Sequence, residues 1–110
     1  MTMNLPDKLL SIVLSEARSI GLPIADRISP TVRINRRAVR RLGCCIREGD
    51  GYHIELSARM LSASETDCRA VLAHELLHTC PGCMNHGNRW KRYATQMREA
   101  FGYEIKRTAD

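Results

Sequence analysis

The chain has 110 residues, 44% hydrophobic and 26% charged, with 17 lysines and arginines against 12 acidic residues for a formal charge of +5. That length supports one globular domain, 1–110, whose core needs no disulfides. No stretch approaches the ~18 unbroken apolar residues of a membrane span, and the flanks of LLSIVL (9–14), Asp7 and Glu16, are wrong for a secretory leader. Five cysteines, an odd number with Cys44 and Cys45 adjacent, suit a reducing compartment, so a cytoplasmic location without a membrane partner is expected.

Asn4 with Asp7 three residues on is a capping pattern, and Pro6 suits a first turn. Leu10, Val13, Leu14, Ala17 and Ile20 then recur at helical spacing until Gly21 and Pro23 stop the helix. After Ser29-Pro30, TVRIN (31–35) alternates Val32 and Ile34 with polar neighbours. RLGCCIR (41–47) and YHIELS (52–57) flank a turn containing Asp50-Gly51, so a small three-stranded antiparallel sheet with a hairpin is expected.

Ser64 with Asp67 caps a second helix, from about residue 65 to 79, which Pro81-Gly82 ends. Trp90, Tyr93, Ala94, Met97 and Phe101 share one face of a last helix, with Asn85 or Asn88 as the cap at its entrance and Gly102 as its C-terminal cap. An extended piece, YEIKR (103–107), closes the chain.

The chemistry concentrates in HELLHTCPGCMNH (74–86). From Ala70 to His78 the only polar side chains are His74, Glu75 and His78, among Val71, Leu72, Leu76 and Leu77, which marks a buried helix. At about 100° per residue His78 lies roughly 40° from His74 and Glu75 roughly 100° away, so the two imidazoles aim at one point with the carboxylate alongside. Buried polar groups must be satisfied. Zn2+ does so, taking two imidazoles and activating a water at near-neutral pH, with Glu75 as general base for peptide-bond hydrolysis.

A catalytic zinc needs a third protein ligand, for which His86, Glu99, Cys80 and Cys83 compete. Glu99 falls about 180° from Trp90 on the last helix and should meet solvent, whereas His86, extended back along that helix, falls about 40° from Trp90 on the core side. His86 is therefore the expected ligand. Cys80 closes a helix instead of opening one, the wrong end for a reactive thiolate. The CPGC segment then reads as a turn that returns His86 to the metal, with small apolar thiols packed under it; a redox protein built on CPGC is the competing reading.

The capped helix carrying HELLH, the short loop and HGNRWKRYATQMREAFGYEI together resemble the SprT-like (Spartan-like) zinc metalloprotease family, over most of the chain from the first helix through LGCCI and YHIELS to FGYEIKR. The resemblance implies an α+β, zincin-like minimal metalloprotease domain made of an N-terminal helix, the small sheet, the HExxH helix and a C-terminal helix. It implies zinc on His74, His78 and His86, catalysis by Glu75, and a protein or peptide substrate attached to or crosslinked with DNA. RINRRAVRR (33–41) gains weight as a DNA-contacting surface through Arg33, Arg36, Arg37, Arg40 and Arg41, although composition alone makes it a solvated basic face. Tyr93 is a candidate oxyanion donor, with Tyr103, Tyr52 and His53 also conceivable. The alternative function is a non-catalytic structural zinc domain that binds nucleic acid through its basic surface.

Overall fold

Asn4 caps the first helix, α1 (Leu5–Ser19), its Oδ1 accepting from the Asp7 amide at 2.9 Å. The computed structural model describes residues 4–106. Leu9, Leu10, Val13 and Ala17 form the buried stripe of α1; Ile20 falls just past its end and is exposed, while Leu9 takes a core position. Gly21 and the backbone bond from Leu22 to the Ala17 carbonyl end the helix.

Strands β1 (Arg33–Asn35), β2 (Gly43–Glu48) and β3 (Gly51–Ser57) make one sheet in the order β1-β3-β2. The sheet is mixed, which corrects the antiparallel expectation: β2 and β3 are antiparallel, but β1 runs parallel to β3, pairing Arg33 with Glu55 and Asn35 with Ser57. Two reversals cause this, one in the connection 36–42 and one in the hairpin, and together they bring β3 back to the direction of β1. Alternation of apolar residues reports which face a strand buries and carries nothing about direction.

The hairpin loop is Gly49-Asp50, one residue earlier than expected, because Gly51 already pairs with Glu48. Gly49 has φ +63°, the left-handed value that a two-residue hairpin loop requires at its first position. A short 3-10 helix, Ala58–Ser62, leads from β3 to α2 (Glu65–Leu77), which Ser64 caps by accepting from Asp67 N at 3.1 Å.

Helix α2 stops two residues before its expected end, with His78 as its C-terminal cap. The amides of His78, Thr79 and Cys80 bond to the carbonyls of Glu75, Leu76 and Leu77, so the last turn tightens to three-residue spacing, as helix ends commonly do. The last helix, α3 (Asn88–Phe101), is capped by Gly87, not by Asn85 or Asn88. Asn85 instead closes the turn into it, accepting from Gly87 N at 3.0 Å. Gly102 ends α3 in the left-handed conformation, as expected, and the chain runs extended to Lys106; Arg107 of YEIKR lies outside the described residues.

Helix α2 packs against α1, α3 and both long strands. Every residue from Val71 to Cys80 is buried, which is the only way a helix without a polar face can sit in a globular protein. The core joins Leu9, Leu10 and Val13 of α1, Ile54 and Leu56 of β3, Leu72, Leu76 and Leu77 of α2, and Trp90 and Met97 of α3. No described helix is long and apolar enough to cross a membrane.

Candidate metal centre

His74 and His78 stand one turn apart on the buried α2, as the i, i+4 spacing dictates. The loop Thr79–Gly87 then brings His86 to them. Its path is fixed by the bond from Cys83 N to the Cys80 carbonyl at 3.1 Å and by Arg89 Nη1 donating to the Pro81 carbonyl at 2.9 Å. Thr79 Oγ1, which accepts from Ala25 N at 3.1 Å, ties the start of the loop to the segment after α1.

The three imidazoles converge. His74 Nε2 lies 3.3 Å from His78 Nε2 and 3.0 Å from His86 Nε2, with His74 fully buried, His78 buried and His86 half-buried. Among the described residues these three are the group of side chains able to hold a metal ion.

Protonation decides what this convergence means. His74 Nδ1 faces the Lys106 carbonyl at 2.5 Å and His78 Nδ1 faces the Cys83 carbonyl at 2.7 Å. A carbonyl only accepts, so the Nδ1 of His74 and of His78 must carry the hydrogen, and in these two neutral rings each Nε2 presents a lone pair to the other. Lone pairs 3.3 Å apart repel, whereas ligands placed tetrahedrally about 2.0–2.1 Å from a common ion stand about 3.3 Å apart. Both the donor chemistry and the spacing fit a divalent ion, and the two carbonyls do what outer-shell partners of metal-bound histidines do: they fix the tautomer and the ring orientation.

Glu75 has no exposed surface, and its Oε2 lies 3.9 Å from His74 Nε2. It faces the centre without joining the ligand group. An ionised carboxylate buried this deeply needs a cation or donor in reach, and an ion on the three imidazoles supplies positive charge there.

Two features of the centre could not be placed from the sequence. Trp90, fully buried on α3, packs against all three imidazoles, with ring centroids 4.8 Å from His74, 6.0 Å from His78 and 4.7 Å from His86. It is the wall of the site as well as core. Gly43, first residue of β2, is the other: a Cβ there would lie 2.9 Å from Val71 Cγ1 and 3.1 Å from both Cγ and Oε2 of Glu75. Its missing side chain lets the strand approach the carboxylate. Gly43→Ala is expected to cost about 1–3 kcal/mol by overpacking and to displace Glu75, read as a lower unfolding midpoint at unchanged metal content.

The other expected residues sort clearly. Glu99 is exposed on α3, as its helical phase required. Cys80 and Cys83 are buried in the hydrophobic cluster and join no group of potential ligands among the described residues. Burial and the neighbouring Cys83 push the Cys80 thiol up to about 12, and burial also raises Cys68 and Cys83, the opposite of a redox-active thiolate. Thiol-reagent titration of the native protein is therefore expected to modify the half-buried Cys44 and Cys45 and to reach Cys68, Cys80 and Cys83 only after unfolding.

Tyr103 donates its hydroxyl to Glu16 on α1, and His53 Nδ1 lies 2.7 Å from Glu48 at the hairpin, so both are engaged elsewhere. Tyr93 packs half-buried against the core. Of the arginines, Arg33 pairs with Glu48 at 3.1 Å and Arg41 lies 3.9 Å from Glu55. Arg36, Arg37 and Arg40 are exposed on the 36–42 connection. That connection is pinned where Asn35 Oδ1 accepts from Arg37 N and Ala38 N, and where Ser57 Oγ donates to the Ala38 carbonyl.

A family model described as the SprT-like family matches residues 21–109, a span that takes in the sheet, α2, α3 and all three histidines but not α1. No curated protein and no solved structure matches the chain.

Proposed function

The chain belongs to the SprT-like family, and on that premise we propose that it is a zinc-dependent metallopeptidase, a zincin-like domain whose ligands are His74, His78 and His86 and whose general base is Glu75. The observation that carries the reading is the convergence of three Nε2 atoms, two of them on rings held by backbone carbonyls, beside a fully buried carboxylate. Three protein ligands are the number a catalytic zinc keeps.

When bound, the ion supplies Lewis acidity to a water and to the substrate carbonyl. Glu75 takes a proton from the attacking water as its oxygen bonds to the carbonyl carbon, holds it on a carboxylate oxygen, and gives it to the amide nitrogen as the C–N bond breaks. The products are a carboxylate and an amine. Trp90 and the surrounding core keep bulk water from the buried His74 and His78 imidazoles, and the Lys106 and Cys83 carbonyls hold these two rings in the ligating tautomer. Tyr93 is proposed as the further donor to the developing oxyanion.

Incubating the zinc-loaded chain with an unstructured protein tests this: cleavage that a chelator stops and added zinc restores is expected, and intact substrate throughout would sink the reading. The proposed substrates are proteins bound to DNA, supported by the exposed Arg36, Arg37 and Arg40 on an anchored loop. Phosphate contacts by these side chains predict an affinity for duplex DNA that falls with log salt at a slope of about −0.9 per contact. Arg36→Ala with Arg37→Ala should flatten that slope; a slope already flat in the wild type would exclude the arginine surface as a DNA contact.

A further inference from the structure

Along the first half of α2, between the start of β2 and the segment after α3, lies a cavity of about 220 Å³ lined by Leu42, Met60, Ala63, Ala70 and Val71, with Asp67, Glu104 and Lys106 completing it. Met60 and Val71 are buried at 6% exposure, Leu42, Ala63 and Ala70 are half-buried, and the three charged residues are exposed. The deep part is thus apolar and the charges sit at the rim.

Its position ties it to the metal centre through both walls. On one side, Val71 lies one turn before Glu75 on α2, and Leu42 precedes the Gly43 whose missing Cβ would touch both Val71 and Glu75. On the other, Lys106 is the residue whose carbonyl accepts the His74 ring hydrogen. The cavity therefore runs along α2 immediately ahead of His74, between the start of β2 and the extended segment after α3.

We propose that this cavity is a specificity pocket that takes an apolar side chain, of leucine size, next to the peptide bond being cleaved. The proposal rests on the peptidase reading above. An apolar pocket beside a catalytic centre discriminates because filling it removes apolar surface from water, and differences of one or a few methylenes change kcat/KM about tenfold or more.

Two measurements test it. Methyl NMR of the zinc-loaded Glu75→Gln protein, titrated with N-acetyl-glycyl-leucinamide and separately with N-acetyl-diglycinamide, should shift Leu42, Met60 and Val71 with the first peptide only. With wild type, peptides carrying leucine beside the cleaved bond should be cut about tenfold or more faster than glycine counterparts, and Ala70→Leu or Ala63→Leu, which fill the cavity, should lower that ratio at unchanged zinc content. Equal rates for the two peptides overturn the pocket, as does a ratio that survives in both filled variants. Methyl shifts that grow with protein concentration without peptide also overturn it, since a second copy would then occupy the cavity. If the methyls respond to the leucine peptide while wild type cuts nothing, the peptidase reading fails and with it the role in cleavage specificity, leaving only a site that binds an apolar side chain.

Discussion

Replacing Glu75 by glutamine is expected to lower peptide cleavage by about 10³-fold or more, while zinc content and unfolding temperature stay close to wild type. The amide has the shape of the carboxylate but cannot take a proton from water, and a positioned general base contributes about 10²–10⁴-fold. The site should tolerate the exchange because Glu75 is not in the ligand group and the amide fills the same space, which the missing Gly43 side chain leaves open. The same variant separates the peptidase from a zinc domain that only binds nucleic acid, which has no cleavage to lose. Steady-state kinetics on a fluorogenic peptide with metal analysis of the same samples gives the answer: retained turnover would remove Glu75 from the mechanism, and lost zinc would place it among the ligands.

The part of this site that could be read from the sequence is the part fixed by helical phase. His74 and His78 share a face because residues four apart on a helix must, and His86 was separable from Glu99 by counting along α3 from Trp90; the structure buries the first two, brings in the third and exposes the glutamate. Cys80 was separable by helix polarity, since a thiolate at the C-terminal end of a helix gains nothing from the dipole. What could not be read depends on contacts between elements distant in the chain. The parallel pairing of β1 with β3, the Lys106 carbonyl on His74 across 32 residues, and the close approach of Gly43 to Glu75 all arise only when α2 is laid against the sheet and the C-terminal segment. One such signal was present and silent: a lone glycine at the start of a strand can mark close backbone approach, but the neighbour it admits is named only by the fold.

Loss of His86 should cost the metal centre one of its three imidazoles. In His86→Ala the zinc dissociation constant is expected to rise at least about a hundredfold, because even an outer-shell partner of a metal-bound histidine is worth about 10–100-fold. Cys80→Ser with Cys83→Ser should instead keep one equivalent of zinc. The Cys83 group that meets His78 is its backbone carbonyl, which the substitution leaves in place, and the cost falls on stability, as two hydroxyls enter an apolar cluster at about 1–3 kcal/mol each if unsatisfied. The two variants thus fail in opposite ways, one losing metal and the other losing stability with the metal kept. With zinc as the proposed ion, binding would also couple to folding: at a free concentration a thousandfold above its dissociation constant it would stabilise the native state by about 4 kcal/mol, or roughly 16 °C in a domain of this size, a shift that His86→Ala should largely lose. Trp90, the single tryptophan of the chain, lies against all three imidazoles, so its emission reports occupancy during chelation. If zinc left the double cysteine variant and stayed in His86→Ala, the ligand would have to be sought in the CPGC turn, and the geometry of three converging Nε2 atoms would be an accident of packing.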